Sequence, residues 1–160
     1  MDKLPIEVIE QITCYLDTYM CEKTYDVCPK YGRFILSFVF KFIKSANIPA
    51  DACNHFSKNG HLNLLIWIVE LKYPLNHWTI PSAAAENHLN IVKWLHMNNC
   101  ECNKWACTMA ASNNHFETLQ WLHENNCPWD GDTATFAAAN NHDNLVIWLH
   151  ENGCPWDSWT

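Results

Sequence analysis

Three side chains with chemical potential recur in this sequence at one fixed interval. His61, His88, His115 and His142 are each 27 residues apart, as are Trp67, Trp94, Trp121 and Trp148, and Cys100, Cys127 and Cys154 keep the same step. Imidazole beside thiolate is the chemistry of zinc sites, redox centres and activated nucleophiles. The densest group is His96, Cys100, Cys102 and Cys107, within twelve residues. Zinc sites usually pair close ligands at spacings such as C-x2-4-C. The interval gives each member here a simpler account. Cys100 aligns with Cys127 and Cys154, whereas Cys102 aligns with Leu75, Trp129 and Trp156, and Cys107 with Cys53, Ile80 and Ala134. A position filled by Trp, Leu or Cys in turn asks for bulk, not for a ligand. Cys14, Cys21 and Cys28 are seven apart, too far for a local metal knuckle. The expectation is therefore no metal and no cofactor, with a zinc- or thiol-based site as the competing reading.

The histidines titrate near neutral pH and could move protons. Their strict period points instead to turn geometry, with a ring nitrogen bonded to a backbone group. A second series, His96, His123 and His150, falls one turn before the loops and should be half exposed. No nucleophile–base pair, phosphate loop or carboxylate dyad stands out. The chain reads as no enzyme.

A fixed period of this size is the mark of a solenoid, whose units bury apolar surface only by stacking on each other. In the unit 131–157, Asp132 or Thr133 should cap a first helix rich in small residues. Its Ala137/Ala138 pair recurs as Ala110/Ala111 and Ala83/Ala84, which lets neighbouring helices approach closely. Asn140-Asn141-His142 makes the turn, since Asn tolerates the left-handed conformation that ends a helix. The second helix runs from about Asp143 to Glu151, with Leu145, Val146, Trp148 and Leu149 as its apolar set. Asn152-Gly153 and Pro155 stop it. On this pattern Trp94, Trp121 and Trp148 belong to the core. The fold class is all-α: a short helical-hairpin solenoid behind an N-terminal helical segment. Residues 1–49 form that segment, and units follow at 50–76, 77–103, 104–130 and 131–157, with 158–160 starting another. Trp78, Trp105 and Trp159 stand at first-helix starts, and Asp132 breaks their series. A periodic position that varies suits a face that meets a target, and Trp is enriched at binding hot spots.

Net charge of −7 with only 10 Lys and Arg excludes the basic stripe that nucleic acid or an anionic membrane requires. The longest apolar run, 34–43, is half the length of a membrane span and contains Lys41. Asp2, Glu7 and Glu10 interrupt the pattern of a secretory leader. Nine cysteines without an export signal imply reduced thiols in a cytosolic or nuclear setting, with the cytoplasm as the expected compartment.

Ala83-Ala84 through Asn87-His88-Leu89 to Val92 and Leu95, repeated from Ala137-Ala138 onward, resembles the ankyrin helix–turn–helix. The resemblance covers four units of 27 residues, and it implies a protein-binding solenoid. The usual ankyrin period is 33; the missing stretch is where that family places its β-hairpin finger. The short Cys-Pro-Trp-Asp unit is similar to repeats of giant DNA viruses and some protists. At the other end, Leu4-Pro5-Ile6-Glu7-Val8-Ile9-Glu10-Gln11-Ile12 with Leu16 resembles the opening of an F-box. That resemblance implies docking on a Skp-type adaptor of a cullin–RING ubiquitin ligase through Leu4, Pro5, Ile6, Val8, Ile9, Ile12 and Leu16. The combination implies a substrate-recruiting adaptor. The alternative is a stand-alone binding scaffold whose first helices only cap the array.

Overall fold

The computed structural model describes residues 51–70 and 72–155. The chain divides into two units, Met1–Ala52 and Cys53–Thr160, and the second holds the helical array. Among the described residues there are eight helices and no strand. They come in pairs: α1 (Ala52–Lys58) with α2 (Leu62–Glu70), α3 (Thr79–Ala85) with α4 (Leu89–Met97), α5 (Lys104–Ser112) with α6 (Phe116–Glu124), and α7 (Gly131–Ala139) with α8 (Asp143–Glu151). This is the all-α stack of helical hairpins that the period implies.

The helices are too short to persist alone in water, so tertiary packing must hold them. First helices pack on first helices through small residues. Ala83, Ala84, Ala106, Ala110, Ala111, Ala134 and Ala137 are buried, with Ile80 and Cys107 filling the space between. The second helices contribute Ile91, Val92, Leu95, Leu119, Leu122, Leu145 and Leu149. Most polar core positions are threonines, whose hydroxyls bond within their own helix or to the neighbouring hairpin. Thr108 Oγ1 donates to Lys104 O at 3.0 Å, and Thr118 Oγ1 donates to Asn87 Oδ1 of the preceding hairpin at 2.7 Å.

Helix ends explain the periodic residues. In α8, Cys154 N–H donates to Leu149 O at 2.9 Å and Gly153 N–H to His150 O at 3.1 Å. This crossed pair is the Schellman stop, which needs a left-handed residue between helix and exit. Gly153 has φ 79°, and Asn99 and Asn126 fill the same place at 57° and 59°. The periodic cysteine is thus the residue just past the stop, folded in against the leucine of the last turn. First helices end identically, but with histidine in that place: His115 N–H donates to Ala110 O at 2.9 Å and His142 N–H to Ala137 O at 3.0 Å. Asn87, Asn114 and Asn141 are the left-handed residues there, with Gly60 in the first hairpin. At Gly60 a side chain is doubly excluded, because φ is 80° and a Cβ would lie 2.7 Å from His88 Cε1.

Two expectations are corrected. Neither Asp132 nor Thr133 caps α7: Asp130 does, its Oδ1 accepting from Asp132 N–H at 3.2 Å. Asp132 already lies in the first turn, where its own N–H is one of the groups to be capped. Trp94, Trp121 and Trp148 are all half-buried rather than core. Leucines and β-branched residues already fill the line between the helices of one hairpin. Two of the indoles lie against the preceding second helix, Trp121 on His96 and Trp148 on Phe116 and His123.

Candidate interaction face

A carboxamide or carboxylate stands just ahead of α3, α5 and α7, and the residue two further on is thereby fixed. Asn76 Oδ1 accepts from Trp78 N–H at 2.8 Å, Asn103 Oδ1 from Trp105 N–H at 3.0 Å, and Asp130 Oδ1 from Asp132 N–H. Trp78, Trp105 and Asp132, the three described members of the expected contact series, therefore occupy one backbone position in successive hairpins. The launch loops are also tied to each other: Asn103 Nδ2 donates to His77 O at 2.6 Å.

Trp78 and Trp105 lie side by side, ring centroids 5.8 Å apart and inclined by 31°, and Trp78 is 40% exposed. Asp132 is half-exposed. What connects it to the indoles is Lys104, a residue that its type alone does not single out. Its ammonium sits 5.2 Å from the centre of the Trp105 ring, 2.6 Å from Asp130 Oδ2 and 3.0 Å from Asp132 Oδ2. Hydrogen bonds to Asp130 and then Asp132 push the Lys104 pKa up to about 12. Two ring faces, one held ammonium and two carboxylates form a continuous strip along the helix starts. The signal for Lys104 was its distance of 26 and 28 residues from the two aspartates, which places it one hairpin away from both.

Trp159 and Leu4, Pro5, Ile6, Val8, Ile9, Ile12 and Leu16 lie outside the described residues.

The turn histidines do what their period implied. His88 Nε2 donates to Lys58 O, His115 Nε2 to Ala85 O, and His142 Nε2 to Ser112 O, each at 3.0 Å and each thirty residues back. Every one of these rings closes a carbonyl at the end of the preceding first helix. The second series is half-buried at His96 and His123 and exposed at His150. His96 meets Trp121 edge-on at 5.4 Å. His123 lies flat on Trp129 at 4.0 Å and edge-on to Trp148 at 5.8 Å.

The cysteines divide. Cys102 and Cys127 form a disulfide, which corrects the expectation of reduced thiols at this pair. The two residues fall on adjoining inter-helix loops with Cα atoms 5.6 Å apart, within bonding reach. Cys53, Cys100, Cys107 and Cys154 are free and buried. Burial, foremost, pushes the Cys107 pKa up to about 12 and the other three up to about 11. Thiols so raised stay protonated at neutral pH and are poor nucleophiles and poor metal ligands. Among the described residues, no three His, Cys, Asp or Glu side chains come together as a metal site. The sequence cluster itself is dispersed: Cys100 Sγ donates to Asn76 O, Cys107 Sγ to Cys127 O, and Cys102 is spent in the disulfide.

A stack of short helical hairpins with a variable strip along its helix starts defines a repeat protein of the binding kind. Residues 80–158 match the family model described as ankyrin repeats, in three copies, so these three hairpins are ankyrin repeats. No curated protein matches the chain. The match covers three of the four hairpins described, α3 through α8; α1 and α2 repeat their geometry, with Gly60 and His61 at the turn. No described helix is long and apolar enough to cross a membrane. The array is a protein-interaction module of the ankyrin-repeat type.

Proposed function

We propose that this module grips a protein target along the strip of Trp78, Trp105 and Asp132, with Trp159 continuing the series, and that the target presents a cationic segment. The observation that carries this reading is the site around Lys104. There an ammonium already rests on an indole face between two carboxylates, so the surroundings favour a positive charge. The exposed Trp78 ring offers the same kind of face without such a lysine, because His77 stands at the corresponding position. A net charge of −7 adds long-range attraction for a basic partner. Cation–π contacts at exposed sites contribute about 0.5–1 kcal/mol each, so recognition needs several arginines or lysines in register. Titrating the protein with an arginine-rich peptide, and with a glutamate-rich peptide of equal length, tests it. Indole fluorescence should respond only to the first, and Trp78→Ser with Asp132→Asn should weaken binding at least tenfold while helicity is kept. Equal binding of both peptides would remove the proposal.

The finer reading makes this module the substrate-recruiting arm of a cullin–RING ubiquitin ligase, working in the cytoplasm. Its support is the Leu4-Pro5 start and the apolar series Ile6, Val8, Ile9, Ile12 and Leu16, which resembles an F-box opening. Pull-down with a Skp-type adaptor decides it. Wild type should retain the adaptor and Ile9→Asp with Ile12→Asp should lose it; if wild type retains nothing, the module is a stand-alone scaffold.

A further inference from the structure

We propose that the Cys102–Cys127 bond is a reversible thiol–disulfide exchange site, entered at Cys102 by an external thiol of the glutathione class, and that it clips one junction of the array. The position is singular. In the other hairpins the pair of positions held here by Cys102 and Cys127 is Leu75 with Cys100, and Trp129 with Cys154. An apolar residue accompanies the buried periodic cysteine at those two junctions. Only between the loops 98–103 and 125–130 does a second sulfur take that place, so a covalent link substitutes for an apolar contact at one junction of the described array.

Access is asymmetric. Cys102 is half-buried, whereas Cys127 is only 5% exposed and folded against the end of α6. An incoming thiolate therefore meets the sulfur of Cys102 first. It forms a new S–S bond there and the Cys102–Cys127 bond breaks. The electron pair leaves on Cys127 Sγ, which takes a proton from water. A second molecule of the external thiol then attacks its own kind on Cys102, releasing the oxidised glutathione-type disulfide and a Cys102 thiol. Two external thiols are oxidised and one protein disulfide is reduced. Oxidised glutathione drives the reverse. The remaining described cysteines of the array do not compete: Cys53, Cys100, Cys107 and Cys154 are buried, and their protonated sulfurs are held in the packing between helices.

The bond joins the loop that launches Lys104 and Trp105 to the loop that carries Asp130. Opening it leaves the Lys104 ion pairs and the hairpin packing as the ties between those loops. A cross-link closing 25 residues restricts the unfolded chain substantially. Reduction should lower the thermal midpoint by roughly 10 °C or more in a domain of this size.

The test uses the full chain, oxidised and then exposed to graded reduced glutathione, with peptide mapping of adducts and a thermal scan at each step. Within residues 51–155 the transient adduct should fall on Cys102, two thiols should appear in Cys102 and Cys127, the midpoint should drop, and oxidised glutathione should restore it. Cys102→Leu installs the residue that stands in the first hairpin. That variant should fold, form no adduct at Cys127, and have a midpoint indifferent to reductant. Adduct formation first on Cys127, a midpoint unchanged by reduction of wild type, or a wild-type chain in which these two sulfurs never pair would each overturn the proposal.

Discussion

Replacing His115 by alanine isolates the tie between adjoining hairpins. The ring donates to Ala85 O at 3.0 Å across thirty residues, while the backbone N–H of His115 completes the stop of α5 at Ala110 O. Alanine keeps the backbone bond and removes the ring. The net hydrogen bond is worth about 1 kcal/mol, and the Ala85 carbonyl left short of a partner adds about 1 kcal/mol more because its surroundings are half-buried. Loss of the ring's packing brings the total to roughly 2–3 kcal/mol. For an array of this size, with about 5–10 kcal/mol of total stability, that is a large fraction. Urea unfolding followed by circular dichroism gives the number, with Met97→Ala as the truncation at an exposed helical position. The control should stay within about 0.5 kcal/mol of wild type. His88→Ala acts at the preceding junction, so its cost should add to that of His115→Ala within about 0.5 kcal/mol. If His115→Ala costs no more than Met97→Ala, the imidazole ladder is not a structural tie, and the periodic histidines need another explanation.

Gly60→Ala should destabilise by about 1–3 kcal/mol, because the new methyl meets both a left-handed backbone and the His88 ring; thermal unfolding measures it. Leu122→Ala removes a fully buried side chain and should cost about 2–5 kcal/mol, more than Trp121→Ala despite the larger indole, since Trp121 is half-buried. The reverse order in urea titrations would restore the tryptophans to the core. The four free thiols among the described residues set an alkaline limit. Their folded pKa values of about 11 to 12 exceed the ordinary 9.0, so the folded state holds protons that the unfolded chain releases. Their contribution is whole below pH 9 and is lost as pH rises from 9 toward 12. Unfolding midpoints should fall across that window, and less in Cys107→Ala, whose own destabilisation is taken as the baseline at pH 7.

Much of the fold was legible because the period constrains every residue at once. Asn87, Asn114 and Asn141 announced left-handed turns, and the histidines after them announced backbone bonds. Only the partner, a carbonyl of the preceding hairpin, needed coordinates. The Ala pairs announced close helices. The tryptophans of the second helices misled because apolarity at a helical position says which side faces inward, not whether room remains there. Leu95, Leu122 and Leu149 had already taken it. Asp130 was missed as a cap because Asp130, Asp132 and Thr133 can all accept from a helix start. The recurrence of Asn103 and Asn76 at its position, 27 and 54 residues earlier, was the sign that separates them. The disulfide was hidden by the same alignment that dispersed the metal cluster: Cys102 does occupy an apolar place, and its chemistry depends on what lies one hairpin on.

Most of the bonds between hairpins run in one direction. His88, His115 and His142, Thr79 Oγ1 to Asn54, Thr118 to Asn87, Asn103 to His77 and Cys154 to Asp130 all place the donor in the later hairpin and the acceptor in the earlier one. The bonds of Lys104 and Cys107 run the other way. A nascent chain leaving the ribosome would therefore find acceptors waiting on the part already folded. This pattern suits vectorial growth, since the freshly made end can let go while stranding few donors behind it. Fraying should begin from the C-terminal side, and synthesis that stalls midway leaves a shorter stack with most of its bonds in place.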